Sequence, residues 1–122
     1  MKHPAPDQAT LRIRITCGDD IAIGQGKADL LEGVRETGSI AGAARRMGMS
    51  YRKAWLLLDE MNRCFREPVV VAAKGGPSGG GAVLTPLGQE ALDRYRIIQQ
   101  HARAAIEQEL DAYRQLLLVK KK

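Results

Sequence analysis

The side chains best equipped for chemistry in this 122-residue chain form one short run: Ser50, Tyr51, Arg52 and Lys53. At the start of a helix, such a run presents hydroxyl, aromatic and cationic groups that can reach base edges and phosphates. An arginine in the position of Arg52 can bond O6 and N7 of guanine together, a contact worth roughly 1–3 kcal/mol of discrimination. The run therefore predicts a reading edge for duplex DNA. Tyr51 and Lys53 contact phosphate as readily as bases, and Ser50 caps the helix whether or not it meets DNA.

A local excess of positive charge favours the same chemistry. The chain holds 19 Lys and Arg against 14 Asp and Glu, a formal net charge of +5. Between residues 45 and 74, seven basic side chains stand against three acidic ones, so most of the excess lies in one quarter of the chain. Basic groups on one face neutralise phosphates and release counterions. Arg45 and Lys74, at the two ends of this stretch, join the predicted DNA-binding set.

A glycine-rich loop over residues 74–81 separates two short apolar runs, residues 69–71 and 82–85. The loop lacks the Gly-Lys-Ser/Thr ending of a nucleotide-binding loop and leads into no helix, which argues against nucleotide hydrolysis. It predicts a β-hairpin, and the loop is either a floppy tip or a wing whose backbone N–H groups approach DNA phosphates. We favour the wing, which adds five loop residues to the DNA-binding set: Gly75, Gly76, Ser78, Gly79 and Gly80.

The segment before this hairpin has the spacing of a helix-turn-helix. Ser39 is placed to cap a helix over residues 40–47, Gly48 can end it in the left-handed conformation, and small Ala44 lets the next helix approach. Spacing alone leaves open an αα-corner in some other helical protein, but the hairpin that follows gives the order of a winged helix. Ser39 is included in the DNA-binding set. For Trp55, one turn into the second helix, packing in the core or at its rim is favoured over base contact.

The flanking regions complete a mainly α fold with small β-hairpins, a winged helix-turn-helix. Residues 1–10 read as a loose arm, and residues 11–23 read as a hairpin whose first strand alternates Leu and Ile with Arg12, Arg14 and Thr16. The winged helix-turn-helix domain spans residues 11–85. From Pro86 a helix is predicted to about residue 119, roughly 33 residues and about 50 Å long. Its long apolar stripe predicts pairing with a second copy, and residues 120–122 form a tail.

Composition and spacing exclude several other classes. At 44% hydrophobic and 27% charged residues, the chain is of ordinary globular composition. No apolar run approaches the roughly 18 residues of a membrane span and no secretory signal is visible, so we expect a cytoplasmic protein with no membrane partner. Cys17 and Cys64 lack CxxC spacing and read as two structural thiols, and His3 and His101 as solvated residues. With no nucleophile–base pair, carboxylate dyad or metal cluster, neither an enzyme nor a cofactor is predicted.

Four segments together resemble the DNA-binding domain of the ModE family, the bacterial molybdate-responsive transcriptional regulators, whose winged helix is related to that of LysR-type regulators. The segments are GSIAGAA (38–44), MSYRKAW (49–55), EMN (60–62) and GGPSGGGAVLT (75–85). The resemblance covers about residues 11–96. It implies a homodimer, held largely by the N-terminal hairpin region and the long C-terminal helix, on a palindromic operator. Family members continue into a molybdate-binding module, for which this sequence has no counterpart, so molybdate is not a predicted ligand.

The leading hypothesis is a sequence-specific DNA-binding transcriptional regulator that acts as a homodimer on a palindromic operator. The alternative is a protein-interaction module that keeps the winged helix without reading DNA, since one fold can host several functions. A neutral or acidic recognition face would favour the alternative. Arg52 and Lys53 argue against it.

Overall fold

A computed structural model describes residues 10–73 and 80–117, which form five helices and two antiparallel hairpins. The predicted arm (all but Thr10), the loop over residues 74–79 and the C-terminal tail lie outside the described residues. The arrangement is the predicted mainly α winged helix-turn-helix. In chain order the elements are β1 (Ile15–Cys17), β2 (Asp20–Ile23), α1 (Gln25–Thr37), α2 (Ile40–Met47), α3 (Tyr51–Cys64), β3 (Val70–Ala73), β4 (Gly81–Leu84), α4 (Pro86–Ala105) and α5 (Glu107–Arg114).

The helix-turn-helix begins and ends its helices where the sequence predicts. The Ser39 Oγ accepts a hydrogen bond from the Gly42 N–H at 2.9 Å and so caps α2. Gly48 closes that helix at φ +68°, a left-handed conformation that costs glycine little. Helices α1 and α2 approach closely, since a Cβ added at Gly33 would lie 3.0 Å from the Cβ of Ala43. Small residues at the helix crossing therefore set the position of the motif.

The wing is the β3–β4 hairpin, with a register that pairs Val70 with Leu84 and Ala73 with Gly81. Hydrogen bonds join it to the helices just before β3 and within β4. The Asn62 Oδ1, in the last turns of α3, accepts from the Val69 N–H at 2.7 Å. The Gly38 carbonyl, between α1 and α2, accepts from the Ala82 N–H at 2.9 Å. These bonds fix the wing beside α3.

The N-terminal hairpin is shorter than predicted, because β1 begins only at Ile15. The carbonyl of Ile13 instead accepts a hydrogen bond from the Tyr95 hydroxyl at 2.7 Å, which ties residues 11–14 to α4. At the other end of the hairpin, the Cys17 thiol lies 3.8 Å from the Cys64 carbonyl oxygen, and both cysteines are free thiols. The segment before β1 thus contacts α4, and the hairpin contacts the end of α3.

The C-terminal helix differs from the prediction, because it is interrupted and shorter. Helix α4 ends at Ala105, Ile106 adopts φ −114° and ψ +14°, and α5 ends at Arg114. The acidic first turn of α5, with Glu107 and Glu109, suits a new helix start better than a helix interior.

The predicted apolar stripe is also divided along its length. Leu92 and Tyr95 are buried in the core of the domain, together with Leu30, Leu31 and Met61. Farther along, Ile98 remains 41% exposed. The domain itself therefore covers the first part of the stripe. No helix within residues 10–73 and 80–117 combines the length and the hydropathy that crossing a bilayer requires.

Candidate nucleic-acid interface

The first turn of α3 presents its polar side chains to solvent. The Ser50 Oγ accepts from the Lys53 N–H at 3.0 Å, so its predicted capping role is confirmed. Tyr51, Arg52 and Lys53 are exposed, whereas Ala54 is buried against the core. The change from exposed to buried follows from the helical period, since Ala54, Leu58 and Met61 occupy the inward face. The segment that predicted a reading edge is thus open along its outer side.

Ion pairing neutralises some of the basic residues that the charge count included. Arg46 in α2 pairs with Glu36 of α1 at 2.5 Å, and Arg63 in α3 pairs with Asp59 one turn earlier. Both pairs are largely exposed, so they contribute little to stability. Their effect is on the electrostatic potential of the surface, because each pair neutralises one positive charge there.

Other basic residues of the motif keep their charge uncompensated. Arg45 in the last turn of α2 and Arg52 and Lys53 in the first turn of α3 are exposed. None of the three has a carboxylate within 4.0 Å in the part of the chain that the structure describes. Uncompensated cations at the end of one helix and the start of the next are suited to phosphates on either side of a groove. The three basic residues of the motif that the sequence assigned to DNA binding are therefore exposed and not neutralised by an ion pair.

A groove of about 360 Å³ lies between α3 and the wing. Tyr51 and Trp55, one helical turn apart, line its α3 side and are 55% and 47% exposed. Of the two expectations for Trp55, packing in the core is therefore wrong, because the indole is half-exposed and lines the groove. It stays outside because the buried face of α3 is formed by Ala54, Leu58 and Met61, and Trp55 lies off that face. Two adjacent aromatic rings with donor groups can contact sugars, bases or phosphates.

The remaining predicted residues fall into two groups. The Ser39 hydroxyl is half-buried and caps α2, and its contact with DNA stays a prediction. Gly80 is exposed at the entrance to β4. Five predicted residues lie outside the described part of the chain: Lys74, Gly75, Gly76, Ser78 and Gly79.

Two basic residues near α3 were missed by the sequence reasoning. Arg12 and Arg14 are exposed and line the same cavity as Lys53, although about forty positions separate them from it. Their alternation with Leu and Ile was visible in the sequence, but it indicated only an outward strand face. No local signal connects them with α3, because the contact is made by tertiary packing.

A buried ion pair lies on the inner side of α3. The Lys27 ammonium, 6% exposed, lies 2.6 Å from the Glu60 Oε1 and also donates to the Ile21 carbonyl. The hydrogen bond and positive charge of Lys27 hold the pKa of Glu60 below its ordinary value. The pair fastens α1 to α3. Among the described residues, no group of three His, Cys, Asp or Glu side chains could hold a metal ion.

Comparison with known proteins finds relatives over about two thirds of the chain, although no family model matches it. It is 46% identical to the molybdenum-pterin-binding protein MopB of Rhodobacter capsulatus over 77 residues. The match covers 63% of this chain and 28% of MopB. It is 36% identical over 86 residues to the molybdenum transport protein ModE of Azotobacter vinelandii, 70% of this chain and 32% of that protein. The DNA-binding transcriptional dual regulator ModE of Escherichia coli K12 is 37% identical over 81 residues, 66% of this chain and 31% of the relative. The chain thus spans about a third or less of the length of these relatives.

Proposed function

We propose, from the premise that this chain is a relative of ModE-type regulators, that it is a transcriptional regulator that binds duplex DNA. Its relatives carry names that include a DNA-binding transcriptional regulator, and the matched part of this chain holds the winged helix-turn-helix. The role requires no catalysis by the chain and no cofactor. It also implies the compartment that holds the bacterial chromosome, the cytoplasm.

One observation carries the proposal: the uncompensated charge of Arg45, Arg52 and Lys53 at the exposed end of the motif. Placed in a major groove, the first turn of α3 brings Arg52 to base edges and Lys53 to a flanking phosphate. Arg45 approaches the backbone that α2 crosses. The wing follows in the adjacent groove with the glycine-rich loop of residues 74–80, where Lys74 adds charge.

The regulator is proposed to act as a homodimer on a palindromic operator. Beyond the core, α4 and the segment after it expose large apolar side chains, including Ile97, Ile98, Tyr113 and Leu116. An apolar surface of this kind, on the part of the helix that the domain does not cover, is suited to contact with a second copy of the chain. Two recognition helices related by a two-fold axis then address half-sites roughly 34 Å apart, one turn of DNA, or a multiple of that distance.

The test is binding of the purified protein to promoter fragments from its own genomic neighbourhood, at two salt concentrations. Arg52→Ala is expected to weaken a specific site at least tenfold more than random DNA, since base contacts carry the discrimination. Arg94→Ala, in α4 and 74% exposed in its pair with Glu90, is the matched control. Absence of binding to any fragment contradicts the proposal, and equal losses on both DNAs make Arg52 a phosphate contact.

A protein-interaction role is the second candidate, favoured by one observation. The groove beside the wing exposes Tyr51 and Trp55, and half-exposed aromatic side chains of this kind also anchor protein partners. Co-purification of a protein partner that masks the fluorescence of Trp55, with no effect of added DNA, would establish that role in place of the first.

A further inference from the structure

A second cavity lies on the other side of α3, between residues 12–14, the start of α1 and the first turns of α3. We call it the hairpin cleft. Its volume is about 320 Å³. Cationic side chains line its mouth, namely Arg12, Arg14 and Lys53, and Met49 and Leu57 contribute an apolar wall. It is separate from the groove beside the wing, and no residue lines both.

The charge of the hairpin cleft is uncompensated. Arg12, Arg14 and Lys53 have no carboxylate within 4.0 Å among the described residues. Lys27 also lines the cleft, but its ammonium is engaged by Glu60 and the Ile21 carbonyl. No acidic residue is among the described residues that line the cavity. Three cations around one cavity repel one another, and an anion between them would relieve that repulsion.

The backbone between the two arginines is held in place by the surrounding structure. The Tyr95 hydroxyl fixes the carbonyl of Ile13, the residue between Arg12 and Arg14, at 2.7 Å. The stem of Arg14 lies over Gly24, where an added Cβ would be 3.5 Å from the Arg14 Cγ. A site whose backbone is already anchored loses less conformational entropy when it binds a ligand.

The start of α1 adds to the positive electrostatic potential of the hairpin cleft. Gly24 provides no side-chain cap, and the first turn of α1 holds no acidic residue. Helices α2, α3 and α4, by contrast, are capped by hydroxyl groups. The partial positive charge of an uncapped helix start therefore reinforces the three cations that surround the same cavity.

We propose that the hairpin cleft binds a phosphate-type oxyanion, and that in the DNA complex this group is a backbone phosphate flanking the site read by α3. Lys53 belongs both to the reading edge and to the cleft, which places the two adjacent on one surface. The segment before β1 thus extends the DNA contact beyond the helix-turn-helix and the wing. The DNA part of this proposal rests on the proposed function, whereas the oxyanion chemistry does not.

The first test compares DNA affinity across a series of KCl concentrations for the full chain and the double variant Arg12→Gln/Arg14→Gln. Loss of one phosphate contact is expected to weaken both specific and random DNA about tenfold and to lower the slope of log K against log salt by about 1. The double variant Arg94→Gln/Arg103→Gln removes the same charge from α4 and is the control. Arg12→Lys/Arg14→Lys, which retains the charge, is expected to keep the wild-type slope.

The second test separates the two sources of the oxyanion. Inorganic phosphate is titrated at constant ionic strength while the backbone amide NMR signals of residues 25–28 are followed in the wild type and the Gln double variant. A loss of DNA affinity without phosphate shifts supports a DNA phosphate as the occupant, and shifts that the variant abolishes support a free oxyanion. If DNA affinity and slope match the control and no shift occurs, the proposal is overturned. If the wild type binds no DNA, the proposed function fails, while the phosphate titration still decides whether the cleft binds an oxyanion.

Discussion

Gly88, at the third position of α4, lies directly against Val69, the residue before strand β3. A Cβ added there would lie 2.1 Å from the Val69 carbonyl oxygen and 2.9 Å from its carbonyl carbon. Real Cβ atoms essentially never approach another heavy atom closer than 3.0 Å. In Gly88→Ala, the start of α4 and the backbone of Val69 must therefore separate by about 1 Å, and backbone on both sides resists that movement.

The energetic cost follows from what this movement disrupts. The Thr85 N–H donates to the Val69 carbonyl at 3.0 Å, and the Thr85 hydroxyl donates to the Pro68 carbonyl at 2.7 Å. Overpacking costs about 1–3 kcal/mol, and each hydrogen bond that is lost costs about 1 kcal/mol more. The higher helix propensity of alanine returns about 1 kcal/mol. We expect Gly88→Ala to lower the free energy of unfolding by about 2–4 kcal/mol.

Gly26→Ala is the matched control, because Gly26 lies in the first turn of α1 and an added Cβ meets nothing within 4 Å. Its free energy of unfolding is expected to equal the wild-type value or exceed it by up to about 1 kcal/mol. Urea denaturation followed by far-UV circular dichroism measures both. If the two variants agree within about 0.5 kcal/mol, the close packing of α4 on the wing is not what holds these elements together, and this reasoning fails.

Three further predictions concern other contacts. Tyr95→Phe is expected to lower the free energy of unfolding by about 1–1.5 kcal/mol and to speed amide exchange in residues 14–16, because the bond to the Ile13 carbonyl is lost; unchanged exchange would contradict it. Lys27 lowers the pKa of Glu60, so the stabilisation from this pair is present above the unfolded pKa of about 4.3 and is lost as pH falls through the folded value. Urea midpoints of the wild type and Glu60→Gln should therefore converge only below about pH 4, and a constant gap down to pH 2 would refute the assignment. Ile98→Asp is expected to shift the sedimentation mass from dimer to monomer at micromolar concentration, and a wild-type chain that is already monomeric would contradict the proposed homodimer.

The sequence predicted the helix-turn-helix well because its signals act over short distances. Ser39 and Ser50 cap their helices through N–H groups three residues away, and Gly48 ends α2 by its own backbone conformation. Such contacts are determined by local spacing and need no knowledge of the rest of the chain. Thr85 and Pro86 marked the start of α4 for the same reason.

The features that the sequence did not predict depend on tertiary packing. Helical periodicity placed Tyr95 on an apolar stripe, but its burial depends on the distant Ile13 carbonyl that its hydroxyl contacts. Burial also raises the pKa of Tyr95, which no sequence pattern indicates. Arg12 and Lys53 line one cavity although 41 positions separate them, and the Tyr95–Ile13 hydrogen bond ties the segment of Arg12 to the domain. A periodic pattern shows which face of an element is apolar, but not which element covers it.

The Asn62 side chain has a mechanical consequence for recognition. Its amide oxygen holds the Val69 N–H, and its nitrogen reaches the Val70 carbonyl at 3.4 Å, so the last turns of α3 and the base of the wing are clamped together. In a DNA complex of the proposed kind, α3 cannot tilt in its groove without moving the wing along the neighbouring backbone. A mismatched base pair under the helix is then penalised twice, at the helix and at the hairpin. The energies of paired substitutions in these two parts should for this reason depart from simple addition.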